Sequence, residues 1–448
     1  MVPLGSVSEQ ITKRQEDLRE LTLLEGMIRE IPGFENYFQH PFSQEKISQL
    51  ASSGPLVSFN VSPWGSDAIY MTASGEVTSI PLPDLAIKDL QESIQQLIGE
   101  NRVFAGPPSS RAERNSRLCD ILKWLWHTAV QPVLQALDLL VVRDTDSSEL
   151  LPRIFWVANG LMGSVPLHAA GDFRGNGEST SKYVVSTYVP TLKSLTFARE
   201  IALRNRRLPE QRLLVVNAPE VQGMRPLNTE KEIQTLKEIS TSFGQLPPKV
   251  LKNPSKEALL EEAKSYSIIH FACHGTSCPD NPSDSGIYIA EGQVESGLEV
   301  TLDDGGLQIE EAKTYELPML KVRDIAELSH ETARLAYLSA CSTAENSAQA
   351  LVDEVIYVAS AFQLAGFPHV ISTMWEAEDN AAIAIAANFY QNLFGSSSAG
   401  EAWDDAAVAY ALHEAVETLK SNGFPNARRK RKLYCDPIAW AAFIHVGI

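Results

Sequence analysis

Cysteine is scarce in this chain. Five are spread over 448 residues: Cys119, Cys273, Cys278, Cys341 and Cys435. So few, scattered and odd in number, do not make a disulfide framework, and a reducing setting is the expectation. Long apolar runs are also missing. No uninterrupted stretch is long enough to cross a bilayer. Met1 to Glu20 is polar and charged and has no apolar signal-peptide segment. The expected location is the cytoplasm. Basic charge is outweighed: 38 Lys and Arg face 56 Asp and Glu, for a net charge of −18. Proteins that bind duplexes or anionic membranes normally present a basic surface. Nucleic acid and membrane are therefore poor partners, and a basic peptide is a suitable one. No Cys-x-x-Cys pair exists, so Cys273, His274, Cys278 and Cys341 lack the usual spacing of a zinc site. Gly171 to Gly177 is glycine-rich but follows neither a dinucleotide nor a P-loop pattern. The reading needs no metal and no cofactor.

What the chain does have is alternation. Leu18, Leu21, Leu24, Met27 and Ile28 recur at helical spacing, so 9–31 reads as a helix that Pro32-Gly33 stops. Short strands follow at 56–60, 68–72 and 77–80, the last two flanking the hairpin signal Ser74-Gly75. Residues 84–100 return to helix. Residues 104–116 read as a linker, and 117–141 as a helix-rich stretch interrupted at Pro132. Strand-like apolar runs then occur at 154–158, 212–216, 267–272, 335–339, 369–373 and 440–446, with helical patterns between several of them. That is the signature of an α/β fold with a largely parallel sheet. Thr229 with Glu232 reads as a capping box opening a helix near 230–242. Residues 351–365 read as a buried, nearly all-apolar helix, with Asp353, Tyr357, Ser360 and Gln363 on one stripe. The carboxylate-rich segment 291–318, with its turn Asp303-Asp304-Gly305-Gly306, reads as a long exposed loop. The basic run Arg428 to Lys432 reads as a solvated loop, with a nuclear-import signal or a processing site as alternatives.

Ligands in open α/β sheets sit outside the carboxyl ends of the strands. Two strand ends carry the residue types of nucleophilic catalysis. Ile268 to Cys273 runs out into His274-Gly275, and Leu335 to Ala340 runs out into Cys341. A thiol attacks as thiolate, and a free pKa of about 8.5 leaves little thiolate at neutral pH. A neighbouring imidazole takes the proton and later returns it to the leaving amine. Gly275 lets the backbone approach closely and aim an N–H at a developing oxyanion, with the N–H of Cys341 as a second donor.

These stretches resemble the CHAT domain, a caspase-like peptidase domain related to separase and commonly found after tetratricopeptide repeats. The resemblance lies in His270 to Gly275, Leu338 to Thr343, Val352 to Val355, Ala361 to Gly366 and Val370 to Trp375. Pro166 to Gly171, Tyr183 to Pro190 and Asp436 to Phe443 add to it, and the whole covers about residues 117–448. Residues 32–90 are similar to the lead-in of fungal-type members. The resemblance implies His274, not His270, as catalytic base and Cys341 as nucleophile. It also implies an acidic residue that receives a basic P1 side chain, at Asp379, with Glu376 or Glu378 assisting. The other reading of Asp379 is an N-cap for a helix starting near Asn380. Ala344 departs from the family pattern, standing where many members carry Gly.

The expected divisions are a helical stub of a truncated repeat region at 1–31 and an α+β lead-in at 32–116. A non-catalytic caspase-like half follows at 117–215, and a catalytic half at 216–448. The expected activity is that of a Cys–His endopeptidase acting on a protein or peptide substrate. A regulatory partner acting through the missing repeats fits the same picture. The rival is a catalytically silent CHAT scaffold that works through protein interaction. A small-molecule thiol hydrolase finds no supporting motif.

Overall fold

The computed structural model describes residues 7–32, 42–98, 110–141, 149–157, 159–205, 212–221, 224–276, 282–290, 293–303, 306–316, 318–326, 332–339, 357–396, 403–424 and 432–448. Its strands are β1 (Leu56–Ser62), β2 (Gly65–Met71), β3 (Val77–Pro81), β4 (Arg153–Val157), β5 (Val185–Val189), β6 (Leu213–Ala218), β7 (Lys249–Lys252) and β8 (Ile268–Cys273). They continue with β9 (Gly275–Thr276), β10 (Gly286–Tyr288), β11 (Gln293–Asp303), β12 (Gly306–Glu316), β13 (Met319–Lys321), β14 (Leu335–Leu338), β15 (His369–Thr373) and β16 (Phe443–Gly447).

Eleven of these strands form one sheet in the order β3-β2-β1-β4-β5-β16-β15-β14-β8-β6-β7. β1, β4, β5 and β16 run parallel to one another. β15, β14, β8, β6 and β7 do likewise. The two sets meet antiparallel at β15 and β16, so the last strand forms the seam. β1 to β3 join the same sheet through the pairing of β1 with β4. Strands buried on both faces read as continuous apolar runs, and β6, β8, β14 and β15 are buried along their whole length. Helices cover the sheet and close one large core that includes Trp126, Trp156, Phe271, Phe362 and Trp440. Among the described residues no helix is long and apolar enough to cross a membrane.

Several expectations need correction. The segment 291–318 is not a structureless loop. β11 and β12 pair over eleven residues each, with Asp303 opposite Gly306. Asp304-Gly305 is a pair that suits two-residue hairpins. The period-two signal was present but diluted by carboxylates: the register sets Leu302 opposite Leu307, Val300 opposite Ile309 and Val294 opposite Tyr315. The linker ends sooner than expected. Ser110 caps a helix at Arg111–Leu125 through a reciprocal capping box with Glu113. Pro132 does not end that stretch: a π-helical turn, Trp126–Val130, joins Arg111–Leu125 to Gln131–Ala136, and this looser turn just before the proline accommodates its missing N–H. Glu232 is not part of a capping box: the N-cap of Thr229–Ser242 is Asn228, with no side-chain cap bond. The described part of the helix expected at 351–365 is Tyr357–Leu364. It buries Val358, Ala359, Phe362 and Gln363 but leaves Leu364 61% exposed, so it is apolar on more than its core face. The edge strand β7 was not anticipated. It is four residues long with a lysine at each end, too short and polar to show a period.

Candidate active site

The carboxyl ends of β6, β8, β14 and β15 open on one edge, because these strands are parallel neighbours. Each contributes chemistry there. Pro219 and Arg225 follow β6, His274 follows β8, Ser339 follows β14, and Glu376 to Asp379 follow β15. The backbone holds His274 in place: its carbonyl accepts from Tyr288 N at 2.9 Å. Gly275 starts β9 and pairs with Ile287 of β10. That short sheet, completed by β13, braces the turn after β8.

His274 is buried, and its Nε2 has no hydrogen-bond partner among the described residues. Burial pushes the imidazole below the ordinary value of 6.5. Backbone groups of Arg225 and Pro219 and the carboxylates of Glu376 and Asp379 act in the opposite direction. A largely neutral ring with one open nitrogen is the state a general base needs. His270 differs. Its Nε2 lies 3.1 Å from Glu232 Oε1, its Nδ1 lies 3.2 Å from the Tyr390 hydroxyl, and its ring stacks on Tyr337. Both nitrogens are engaged inside the core.

Asp379 is the first residue of the helix Asp379–Gly395, and Glu378 holds the N-cap position. This corrects the N-cap reading. A carboxylate in the first turn still interacts well with the helix dipole. Asp379 Oδ2 lies 3.9 Å from Nη2 of Arg225, whose side chain is 87% exposed. Glu378 is not available as an assistant: it pairs with Arg111, which also grips Asp436 with two hydrogen bonds. Glu376 is exposed and near enough to act electrostatically on the His274 imidazole.

Cys278, Cys341 and Ala344 lie outside the described residues. Of the other cysteines, Cys273 is buried, and burial pushes the Cys119 thiol up to about 11. Cys435 is exposed and donates to the Phe173 carbonyl. Among the described residues no group of three or more His, Cys, Asp or Glu is arranged to hold a metal. A large cavity lined by Arg153, Arg199, Asp404 and Tyr410 shares no lining residue with the His274 edge.

Two residues at this edge escaped the sequence reading. Glu232 was assigned to a cap, and Ser339 passed as part of an apolar strand. Glu232 Oε1 accepts from Ser339 Oγ at 2.7 Å as well as from His270. Only the register of three separate elements brings these groups together.

The CHAT domain family profile matches residues 120–448. No curated protein matches the sequence. Two crystal structures of the separase–securin complex of Saccharomyces cerevisiae are similar, with TM-scores of 0.55 and 0.51 and identities of 10% and 11%. Each alignment covers 90% of this chain, but the chain spans only 31% and 30% of the matched chains. The Arg-specific cysteine proteinase gingipain R aligns with a TM-score of 0.41 and 9% identity, over 80% of this chain and 74% of its own. At such identities the separase structures show a shared fold, a large, mostly parallel sheet flanked by helices. With the family profile spanning most of its length, the chain belongs to the CHAT domain family.

Proposed function

We propose that this protein is a cysteine endopeptidase in which Cys341 is the nucleophile and His274 the general base. The supporting observation is the parallel register of β8 and β14. Phe271 pairs with Leu338, and His274 and Cys341 each stand three residues further on. The ladder bond from Ser339 N to Phe271 O, 3.0 Å, carries that register past the end of β14. His274 Nε2, without a hydrogen-bond partner among the described residues, lies on the same edge.

The chemistry follows from these groups. His274 takes the thiol proton, and the Cys341 sulfur attacks the peptide carbonyl carbon. N–H groups of Gly275 and Cys341 hold the oxyanion. The C–N bond breaks as His274 returns the proton to the leaving amine. Water, deprotonated by His274, then cleaves the thioester and releases the acid. Asp379 sits beside this path and already faces a guanidinium, that of Arg225. This supports a preference for Arg or Lys at P1, with Glu376 adding negative potential. A protein substrate and protein partners fit the likeness to separase, which is seen in complex with securin.

The test is a peptide library cut by the intact chain and by Cys341→Ala. The expected result is cleavage after Arg or Lys by the native chain and none by the variant, with unchanged thermal unfolding. Cleavage that survives in Cys341→Ala rejects the assignment. A folded native chain that cuts no peptide favours the silent scaffold.

A further inference from the structure

We propose that Glu232 is a positioning residue whose buried carboxylate fixes the two strand ends from which His274 and Cys341 follow. The proposal rests on the reading of those two residues as the catalytic pair. Glu232 belongs to the helix Thr229–Ser242, which follows β6. One oxygen, Oε1, accepts from His270 Nε2 at 3.1 Å and from Ser339 Oγ at 2.7 Å. His270 lies in β8, four residues before His274. Ser339 follows β14, two residues before Cys341. A single atom thus ties both strands at the point where the main-chain ladder runs out.

The network extends further. With Nε2 donating to Glu232, His270 Nδ1 accepts from the Tyr390 hydroxyl at 3.2 Å. Tyr390 lies in the helix that begins with Asp379. The helix after β6 thus touches β8 and the end of β14 through one carboxylate, and the helix after β15 through His270. Glu232, His270 and Ser339 are all buried. A buried carboxylate is costly unless it is hydrogen-bonded, and breaking such a network is more damaging than never building it. Charge is not the useful property here. A negative group close to a thiol disfavours the thiolate, so an activating role through charge has the wrong sign. What remains is geometry, to which catalysis is sensitive: a misplacement of about 1 Å costs on the order of 100-fold.

The experiment compares Glu232→Ala, Glu232→Gln and Ser339→Ala with the native chain. It reads kcat and KM on a cleaved peptide, thermal unfolding, and the rate at which iodoacetamide alkylates Cys341. Glu232→Ala should lower kcat about 100-fold with KM nearly unchanged. Ser339→Ala should lower kcat less, by about tenfold, for loss of one arm. Glu232→Gln should recover most of the activity, because its amide oxygen accepts in the same place. A folded Glu232→Ala or Ser339→Ala with native kcat overturns the proposal, as does a Gln variant no better than Ala. Should Glu232→Ala fail to fold, Ser339→Ala decides alone. Should the native chain cut nothing, or Cys341→Ala still cut, the peptidase reading has failed on its own. The alkylation rate then decides, and a rate unchanged in Ser339→Ala overturns the positioning role.

Discussion

His168, in the short 3-10 turn Leu167–Ala169, and His274, directly after β8, are treated in opposite ways. His168 has both ring nitrogens engaged: Nδ1 with the Tyr188 hydroxyl at 2.9 Å and Nε2 with the Ala441 carbonyl at 3.1 Å. Burial pushes its imidazole down to about 3, with no carboxylate acting against it. His274 is also depressed by burial, but Glu376 and Asp379 resist the shift, and its Nε2 has no partner among the described residues. A buried histidine is therefore not a site in itself. His274 differs in standing at a strand end with one ring nitrogen that no described residue engages.

The comparison breaks most visibly by exchanging roles. His274→Ala should cost about 100- to 10,000-fold in kcat while thermal unfolding barely moves. His168→Ala should do the reverse. It removes the ring's hydrogen bonds with the Tyr188 hydroxyl and the Ala441 carbonyl from the core, at a cost of about 1–3 kcal/mol of stability, and keeps kcat. Steady-state kinetics and thermal unfolding of the two variants decide the matter, and equal activity losses would erase the distinction.

A narrower effect tests the carboxylates that set the second half apart. Asp379→Asn should reduce cleavage after Arg by about 100-fold or more and spare cleavage after neutral residues, since an ion pair reads the guanidinium. If Asp379 only serves the first turn of its helix, the same change costs about 0.3–1 kcal/mol of stability and leaves the P1 preference intact. A peptide library read with both proteins separates the outcomes.

The smallest effect is a shift in titration. In Cys341→Ala, NMR should show the His274 ring titrating below 6.5, since burial disfavours the charged ring. Negative neighbours raise a histidine pKa, so Asp379→Asn should move it lower still. A rise in the Asn variant would mean that Asp379 does not face the ring.

Much of this was legible in the sequence because the physics is local. β8, β14 and β15 are buried on both faces and so read as apolar runs. His274 and Gly275 are marked by standing where such a run stops. The residues that hold the site were not legible. Glu232 stands three residues after Thr229, which is the spacing of a capping box, and spacing cannot tell a cap from a carboxylate turned into the core. The pairing of Glu378 with Arg111 spans 267 positions of sequence, and no local pattern announces it. The β11–β12 hairpin was hidden because its alternation is diluted by carboxylates.

The most direct test is to react the folded chain with a thiol-directed active-site probe at neutral pH and map the modified cysteine, with His274→Ala alongside. The expected result is fast labelling of Cys341, slowed strongly in His274→Ala. Cys119, its thiol pushed up to about 11, should stay unmodified. Labelling confined to another cysteine, or labelling of Cys341 at the same rate without His274, would contradict the Cys341–His274 pair.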